Sequence, residues 1–259
     1  MKNLVLDWPA AGIARLTLSQ PKRRNALTAA MWQAIPNLLN ELTQDKALRV
    51  LIVTGDGDHF AAGADISEFE TLYATAESSA KISADIQRAC EALAAVPVPT
   101  IAMIRGACVG GGCGISLCCD LRFADSTAKF GITPAKLGLV YPFGDIARLI
   151  DAVGIANASD IMLSARIMGA NEADKMGLVH RVVAVDGLED AVFDYAAGVS
   201  ALSPESLRGM KSMISAYRNG QRKDSKETRA QFAAGFTSKD FSEGFRAFLE
   251  KRKPNFEKL

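Results

Sequence analysis

Two short apolar runs, Val50-Leu-Ile-Val-Thr54 and Thr100-Ile-Ala-Met-Ile104, restrict this chain more than any other feature. A strand that meets water on one face alternates polar and apolar residues. A continuous apolar run therefore fits a strand covered on both faces, as in a parallel sheet. Between the runs the spacing predicts a long helix over roughly 76–95, and a strand, helix, strand order builds the crossover units of an α/β core. The segment 12–18 alternates, with Ala14, Leu16 and Leu18 on one face and Arg15 and Thr17 on the other, and predicts a half-buried strand that ends before Pro21.

Met31, Ile35, Leu38, Leu39 and Leu42 follow a Thr28 cap at helical spacing and predict a helix with a kink at Pro36. After about residue 185 the pattern becomes helical. Ser203-Pro204-Glu205 is a strong helix start, Leu207, Met210, Ile214 and Tyr217 form one stripe, and two further helical segments run to about 250. The expected organisation is a core domain over 1–195 and a helical region over 196–259, whose amphipathic faces suit either its own core or a subunit interface.

Composition narrows the partners. The 259 residues, 49% of them hydrophobic, can bury a substantial core. Thirty Lys and Arg against 29 Asp and Glu leave a net charge of +1, which creates no global field for nucleic acid or an anionic membrane. No segment reaches the roughly 18 to 20 apolar residues of a membrane span, and Met1 to Leu6 has no apolar leader region, so a soluble cytoplasmic protein is expected. Five cysteines at 90, 108, 113, 118 and 119 contain no C-x-x-C pair and read as reduced, buried thiols. Two histidines, His59 and His180, are too few for a usual zinc site, and no metal is expected.

Two loops follow the predicted core strands, at the sheet edge where open α/β folds bind ligands. They are His59-Phe-Ala-Ala-Gly-Ala-Asp-Ile66 and Gly106-Ala-Cys-Val-Gly-Gly-Gly112, the second running through Gly114 into an apolar helical stretch. Each glycine within a helix costs about 1 kcal/mol relative to alanine, so this cluster points to backbone that side chains would obstruct. The spacing fits neither a P-loop nor a dinucleotide fingerprint. Tight packing of helix on strand is one explanation. The other is that bare N–H groups at the helix start, joined by one from the first loop, face a developing negative charge on oxygen.

At this level the chain resembles the crotonase, or enoyl-CoA hydratase/isomerase, superfamily. The matching pieces are Pro21-Lys-Arg-Arg-Asn-Ala-Leu27, Phe60 to Ile66, Pro99 to Cys113 with Asp120, Phe130-Gly131, and Glu243 to Phe256. The resemblance implies a spiral of ββα units with a helical C-terminal region, assembled as homotrimers that pair into hexamers. It implies acyl-CoA thioester substrates, with coenzyme A entering as part of the substrate and no separate cofactor. The thioester oxygen would be held by the Ala64 and Gly111 amides. Ala62, Asp65, Ile66, Gly110, Gly114 and Pro134 would border the substrate, and Lys22, Arg23 and Arg24 would attract the CoA phosphates, with Lys251-Arg-Lys253 as a second basic run.

Hydratases of that superfamily carry two glutamates, at positions where this chain has Gly114 and Pro134. A positioned acid or base contributes typically 10² to 10⁴ in rate, so ordinary hydratase chemistry needs a substitute. Asp145, at the start of a predicted helix, is one candidate, with plain helix capping as its alternative role. Glu68 and Glu70 follow the first loop, and helical geometry sends at least one of them to solvent. Tyr141 is a second candidate, because Thr133 to Tyr141 resembles the corresponding segment of methylmalonyl-CoA decarboxylases, and a packing role is its alternative. Three functions follow: an enolate-stabilising enzyme of the hydratase/isomerase type, a lyase like those decarboxylases, or a non-catalytic CoA-ester-binding member.

Overall fold

The computed structural model describes residues 3–256. Met1 and Lys2, part of the stretch read as lacking a leader, and Glu257 to Leu259, the end of the helical C-terminal region, lie outside the described residues. The chain runs through β1 (Leu4–Ala10), β2 (Ile13–Leu18), α1 (Ala29–Gln44), β3 (Val50–Gly55), α2 (Phe69–Leu72), α3 (Ala76–Ala94), β4 (Thr100–Ile104), β5 (Ala107–Val109) and α4 (Gly111–Cys118). It continues through β6 (Leu121–Asp125), β7 (Lys129–Gly131), α5 (Phe143–Ser164), β8 (Met168–Gly169), α6 (Ala170–Lys175), β9 (Arg181–Val183), α7 (Leu188–Ser200), α8 (Pro204–Arg218), α9 (Lys226–Gly235) and α10 (Lys239–Leu249).

The main sheet has six strands in the order β1-β2-β3-β4-β6-β9, antiparallel at the β1–β2 edge and parallel elsewhere. Every residue of β3 and β4 is buried, as their unbroken apolar runs predict. Their side chains divide by the two-residue period of a strand. Leu51, Val53, Ala102 and Ile104 enter the large core under α1, α3 and α4, while Val50, Ile52, Ile101 and Met103 pack on Leu188, Val192 and Ala196 of α7. A three-stranded sheet, β5-β7-β8, stands beside the main one and carries the chain into α4.

The helix α1 runs through Pro36 without interruption. The bond that proline removes is offset by six buried side chains on the same helix, Met31, Trp32, Ile35, Leu38, Leu39 and Leu42. In α3 the expected helix ends fall at Ala76 and Ala94, with Thr75 and Ser78 forming a reciprocal cap. Ser203 caps α8 and Pro204 opens it, as read from the sequence. The stripe on α8 stays largely exposed, as do Phe232, Phe236, Phe245 and Phe248 on α9 and α10 and the segment between them. All five cysteines are free and buried. Among the described residues no helix is long and apolar enough to cross a membrane.

Candidate active site

The two glycine-bearing loops leave the ends of β3 and β4 and are stitched together by backbone hydrogen bonds. The Phe60 amide donates to the Arg105 carbonyl at 2.8 Å, the Ala61 amide to Ala107 at 2.9 Å, and the Val109 amide back to Ala61 at 3.0 Å. On the other side, Ala62 donates to Arg24 at 2.9 Å, Leu27 to Gly63 at 2.7 Å, and Asp65 to Leu27 at 2.9 Å. Gly110 is tied to β7 through the Gly131 carbonyl at 2.8 Å. Among the described residues the amides of Ala64 and Gly111 find no acceptor within this mesh. They lie together: a methyl group placed on Gly111 would stand 3.6 Å from the Ala64 nitrogen, and one placed on Gly63 would stand 3.7 Å from the Gly111 nitrogen. The Gly111 amide also opens α4, whose dipole adds positive potential there.

The glycines have separate physical reasons. Gly110 holds φ +52° and ψ −118°, a conformation closed to other residues without strain. At Gly112 a Cβ would meet the Ala61 carbonyl at 2.3 Å, so α4 can approach the first loop only with bare backbone. Of the two explanations posed by the sequence, tight packing holds at Gly112, while the Gly111 amide is left open.

At Gly114 the space belongs to α5 and the segment before it. A Cβ there would lie 3.0 Å from the Tyr141 hydroxyl and 3.5 Å from Asp145 Oδ2. The Tyr141 hydroxyl donates to the Gly110 carbonyl at 3.0 Å. Asp145 is buried, and its Oδ1 accepts from Arg148 at 3.0 Å, leaving Oδ2 on the Gly114 side. Its side chain caps no amide of α5, so the capping role does not apply. Burial pushes the Asp145 carboxyl above its ordinary value, with Arg148 pulling against that rise. Burial, reinforced by the Asp145 charge, pushes the Tyr141 phenol well above its ordinary value, so it keeps its proton.

Around this centre the remaining side chains brace the loops. Asp65 is buried and receives Arg23 at 2.7 Å on both oxygens, Gln20 at 3.2 Å, and the Ser67 amide at 3.1 Å. Burial alone would raise the Asp65 carboxyl, but the Ser67, Arg23 and Gln20 hydrogen bonds hold it below the usual range. Arg23 also contacts the Ser67 hydroxyl. Lys22 and Arg24 are exposed and make no ion pair with a described residue. Ala62 is half-buried, Ile66 is exposed at the first turn after the loop, and Pro134 opens a short 3-10 turn, Pro134–Leu137, on the way to α5. Glu68 accepts from the Ala29 amide at 2.8 Å at the start of α1, while Glu70 faces solvent.

Three residues of the site were not singled out by sequence reasoning. Arg148, one helical turn after Asp145, fixes that carboxylate. Asn25, buried with φ +55°, spans the first loop by donating to the Asp56 and His59 carbonyls at 2.9 and 2.6 Å. The Trp32 ring lies 3.2 Å from where a Gly111 Cβ would be and forms the floor beneath that peptide. Asn25 sits inside a quoted motif and Arg148 three positions from a quoted acid, so the signal was proximity alone. His59 is structural: its Nδ1 accepts from the Ala107 amide at 3.1 Å. Among the described residues no group of His, Cys, Asp and Glu is placed to hold a metal ion.

Residues 9–258 match the family described as enoyl-CoA hydratase/isomerase. A probable enoyl-CoA hydratase of Mycobacterium bovis is 37% identical over 243 residues, covering 93% of both chains. The crotonyl-CoA hydratase of Syntrophomonas wolfei is 34% identical over 260 residues, covering 98% of both. Among solved structures, an enoyl-CoA hydratase/isomerase family protein from Hyphomonas neptunium superposes with a TM-score of 0.95 at 43% identity, covering 98% of this chain and 97% of that one.

Proposed function

The chain belongs to the enoyl-CoA hydratase/isomerase family, and from that premise we propose an acyl-CoA enzyme whose thioester oxygen is held by the Ala64 and Gly111 amides while Asp145 carries the proton. The observation that supports this most directly is at Gly114. The resemblance places a hydratase glutamate at this position on α4; here the Tyr141 hydroxyl and Asp145 Oδ2 come within 3.0 and 3.5 Å of where a Cβ would stand. This supports a reading in which the acid is supplied from α5 by Asp145 in place of the two glutamates expected at Gly114 and Pro134.

Two preorganised amides aimed at one oxygen stabilise an enolate, each on the order of 10² to 10³ in rate. One carboxylate then suffices for either family reaction. In hydration, Asp145 takes a proton from water as its oxygen bonds the β-carbon and the π electrons move to the thioester oxygen. The same proton passes to the α-carbon as the enolate collapses. In a double-bond shift, Asp145 takes a proton from the α-carbon and returns it to the γ-carbon. Arg148 keeps Oδ2 directed at the site through both steps.

Lys22 and Arg24, free of acid partners among the described residues, suit the CoA phosphates, and Arg23 suits them less because Asp65 holds it. The exposed apolar side chains of α8 to α10 support the helical region 196–259 as the trimerisation surface, with the trimer or its hexamer as the working form. Five unpaired thiols suit a cytoplasmic setting. The lyase reading draws on Tyr141, but a leaving carboxylate oriented by that phenol would face the negative charge of Asp145. The non-catalytic reading would use the two open amides to bind the ester but gives the buried Asp145 carboxylate beside them no task.

A panel of crotonyl-, branched-chain, aromatic, malonyl- and methylmalonyl-CoA, with thioester products followed by mass and chromatography, tests this. Water addition to an enoyl ester, or a shifted double bond, is expected. Loss of carbon dioxide from a malonyl ester would transfer the assignment to the lyase. Binding of esters with no turnover of any would transfer it to the non-catalytic member.

A further inference from the structure

We propose that Tyr141 is a positioning residue that acts through the Gly110–Gly111 peptide, locking its orientation and strengthening the Gly111 N–H as a donor to the thioester oxygen. This rests on the oxyanion role given above to Gly111. The Gly110 carbonyl and the Gly111 N–H are opposite ends of one planar peptide unit. The Tyr141 hydroxyl donates to that carbonyl at 3.0 Å, and the Gly114 amide donates to the same oxygen at 3.0 Å.

Two consequences follow from elementary chemistry. The first concerns orientation. A peptide between two glycines has the least steric resistance to flipping about its flanking bonds, and a flip would turn the carbonyl into the site and the N–H away. Gly110 already holds φ +52° and ψ −118°, a conformation that side chains do not enforce. Two hydrogen bonds on the carbonyl pin that plane. The second concerns polarity. A donor at the carbonyl oxygen draws charge from the amide nitrogen and makes its N–H more positive, and such chains strengthen cooperatively by about 10 to 30% per bond. The phenol remains protonated because burial and the Asp145 charge oppose its ionisation, so the donor persists across the working pH range. Tyr141 needs no contact with the substrate for either effect.

Gly114 completes the arrangement. Its missing side chain gives the phenol room, since a Cβ would lie 3.0 Å from the hydroxyl and press on it. The position that carries an acid in hydratases of the superfamily here admits a residue that tunes the oxyanion hole.

The test uses butyryl-CoA labelled with ¹³C at the thioester carbonyl, which has no double bond to hydrate, and reads the carbonyl stretch of the bound ester by difference infrared spectroscopy. Wild type should show a shift to lower frequency that Gly111→Pro removes. Tyr141→Phe, with an unchanged melting temperature, should lose a measurable part of that shift and lower kcat roughly three- to tenfold on the ester the enzyme turns over, with KM little changed. Fluorotyrosine at position 141, a stronger donor with the same shape, should move the frequency the other way, which guards against a folding defect in Tyr141→Phe. If wild type shifts, Gly111→Pro abolishes the shift, and both Tyr141 variants match wild type, the inference is wrong while the oxyanion reading stands. If wild type shows no shift, the oxyanion reading fails and takes the inference with it. A Tyr141→Phe variant that removes an alkaline limb present in the wild-type pH profile would make Tyr141 a proton donor and overturn the positioning role.

Discussion

The loops at Ala64 and Gly111 and the approach to α5 at residues 133–145 are the two halves of the proposed site, and they are held in opposite ways. The loops are braced from both sides by backbone hydrogen bonds and by Asn25. The α5 approach is a surface segment, with Leu137, Leu139, Val140 and Phe143 exposed, that turns Tyr141 and Asp145 inward. A hole made of peptide groups is fixed by the path of the chain and cannot move without changing the fold. A carboxylate needs only to reach the same volume of space, so it can be delivered from either of two neighbouring helices. On the proposed reading, the electrostatic half of catalysis is built into the backbone and the proton-transfer half is carried by a side chain.

Substitutions can break that contrast. Gly111→Pro removes one amide at a helix position that tolerates proline, and kcat should fall on the order of 10² to 10³, measured at saturating ester, with the pH profile keeping its shape. Arg148→Met should act on the other half alone. Burial raises the Asp145 carboxyl and Arg148 lowers it, so removing Arg148 should move the acidic limb of kcat/KM further toward neutral pH and cost about tenfold at pH 6, while the thioester carbonyl shift stays put. Gly114→Ala gains helix propensity of about 1 kcal/mol yet pushes on the Tyr141 hydroxyl at 3.0 Å. Its melting temperature should change little, and its turnover should fall severalfold, as for Tyr141→Phe.

The smallest effect concerns the brace. Asp65→Ala removes the cap on Ser67 and the Arg23 contact, and urea unfolding should show a loss of about 1 kcal/mol. The folded Asp65 carboxyl lies below its unfolded value of 3.8, so its stabilisation is present above that pH and fades as pH falls through the depressed folded value. The difference between wild type and Asp65→Ala should therefore narrow in acid.

The same contrast governs what could be read from the sequence. Both central strands were legible because burial on two faces leaves an unbroken apolar run, and α8 because Ser203 and Pro204 mark its start. Strand β1 was hidden by its largely exposed side chains and Pro9, and β5, β7 and β8, three residues or fewer, are too short to carry a period. Gly110 and Gly112 announced unusual backbone, since glycine has few other reasons to cluster. The relation of Gly114 to Tyr141 and Asp145 was not legible, because it joins residues about thirty positions apart through a space that only the packed helices define.

The pH dependence of kcat/KM for wild type and Asp145→Asn tests most directly whether the proton-transfer group has moved to α5. Wild type should show an acidic limb above the ordinary aspartate value of 3.8, because burial raises Asp145, and Asp145→Asn should lose both that limb and roughly 10² to 10⁴ in rate. An Asp145→Asn enzyme with wild-type turnover and an unchanged acidic limb would contradict it, and would place the proton carrier elsewhere in the site.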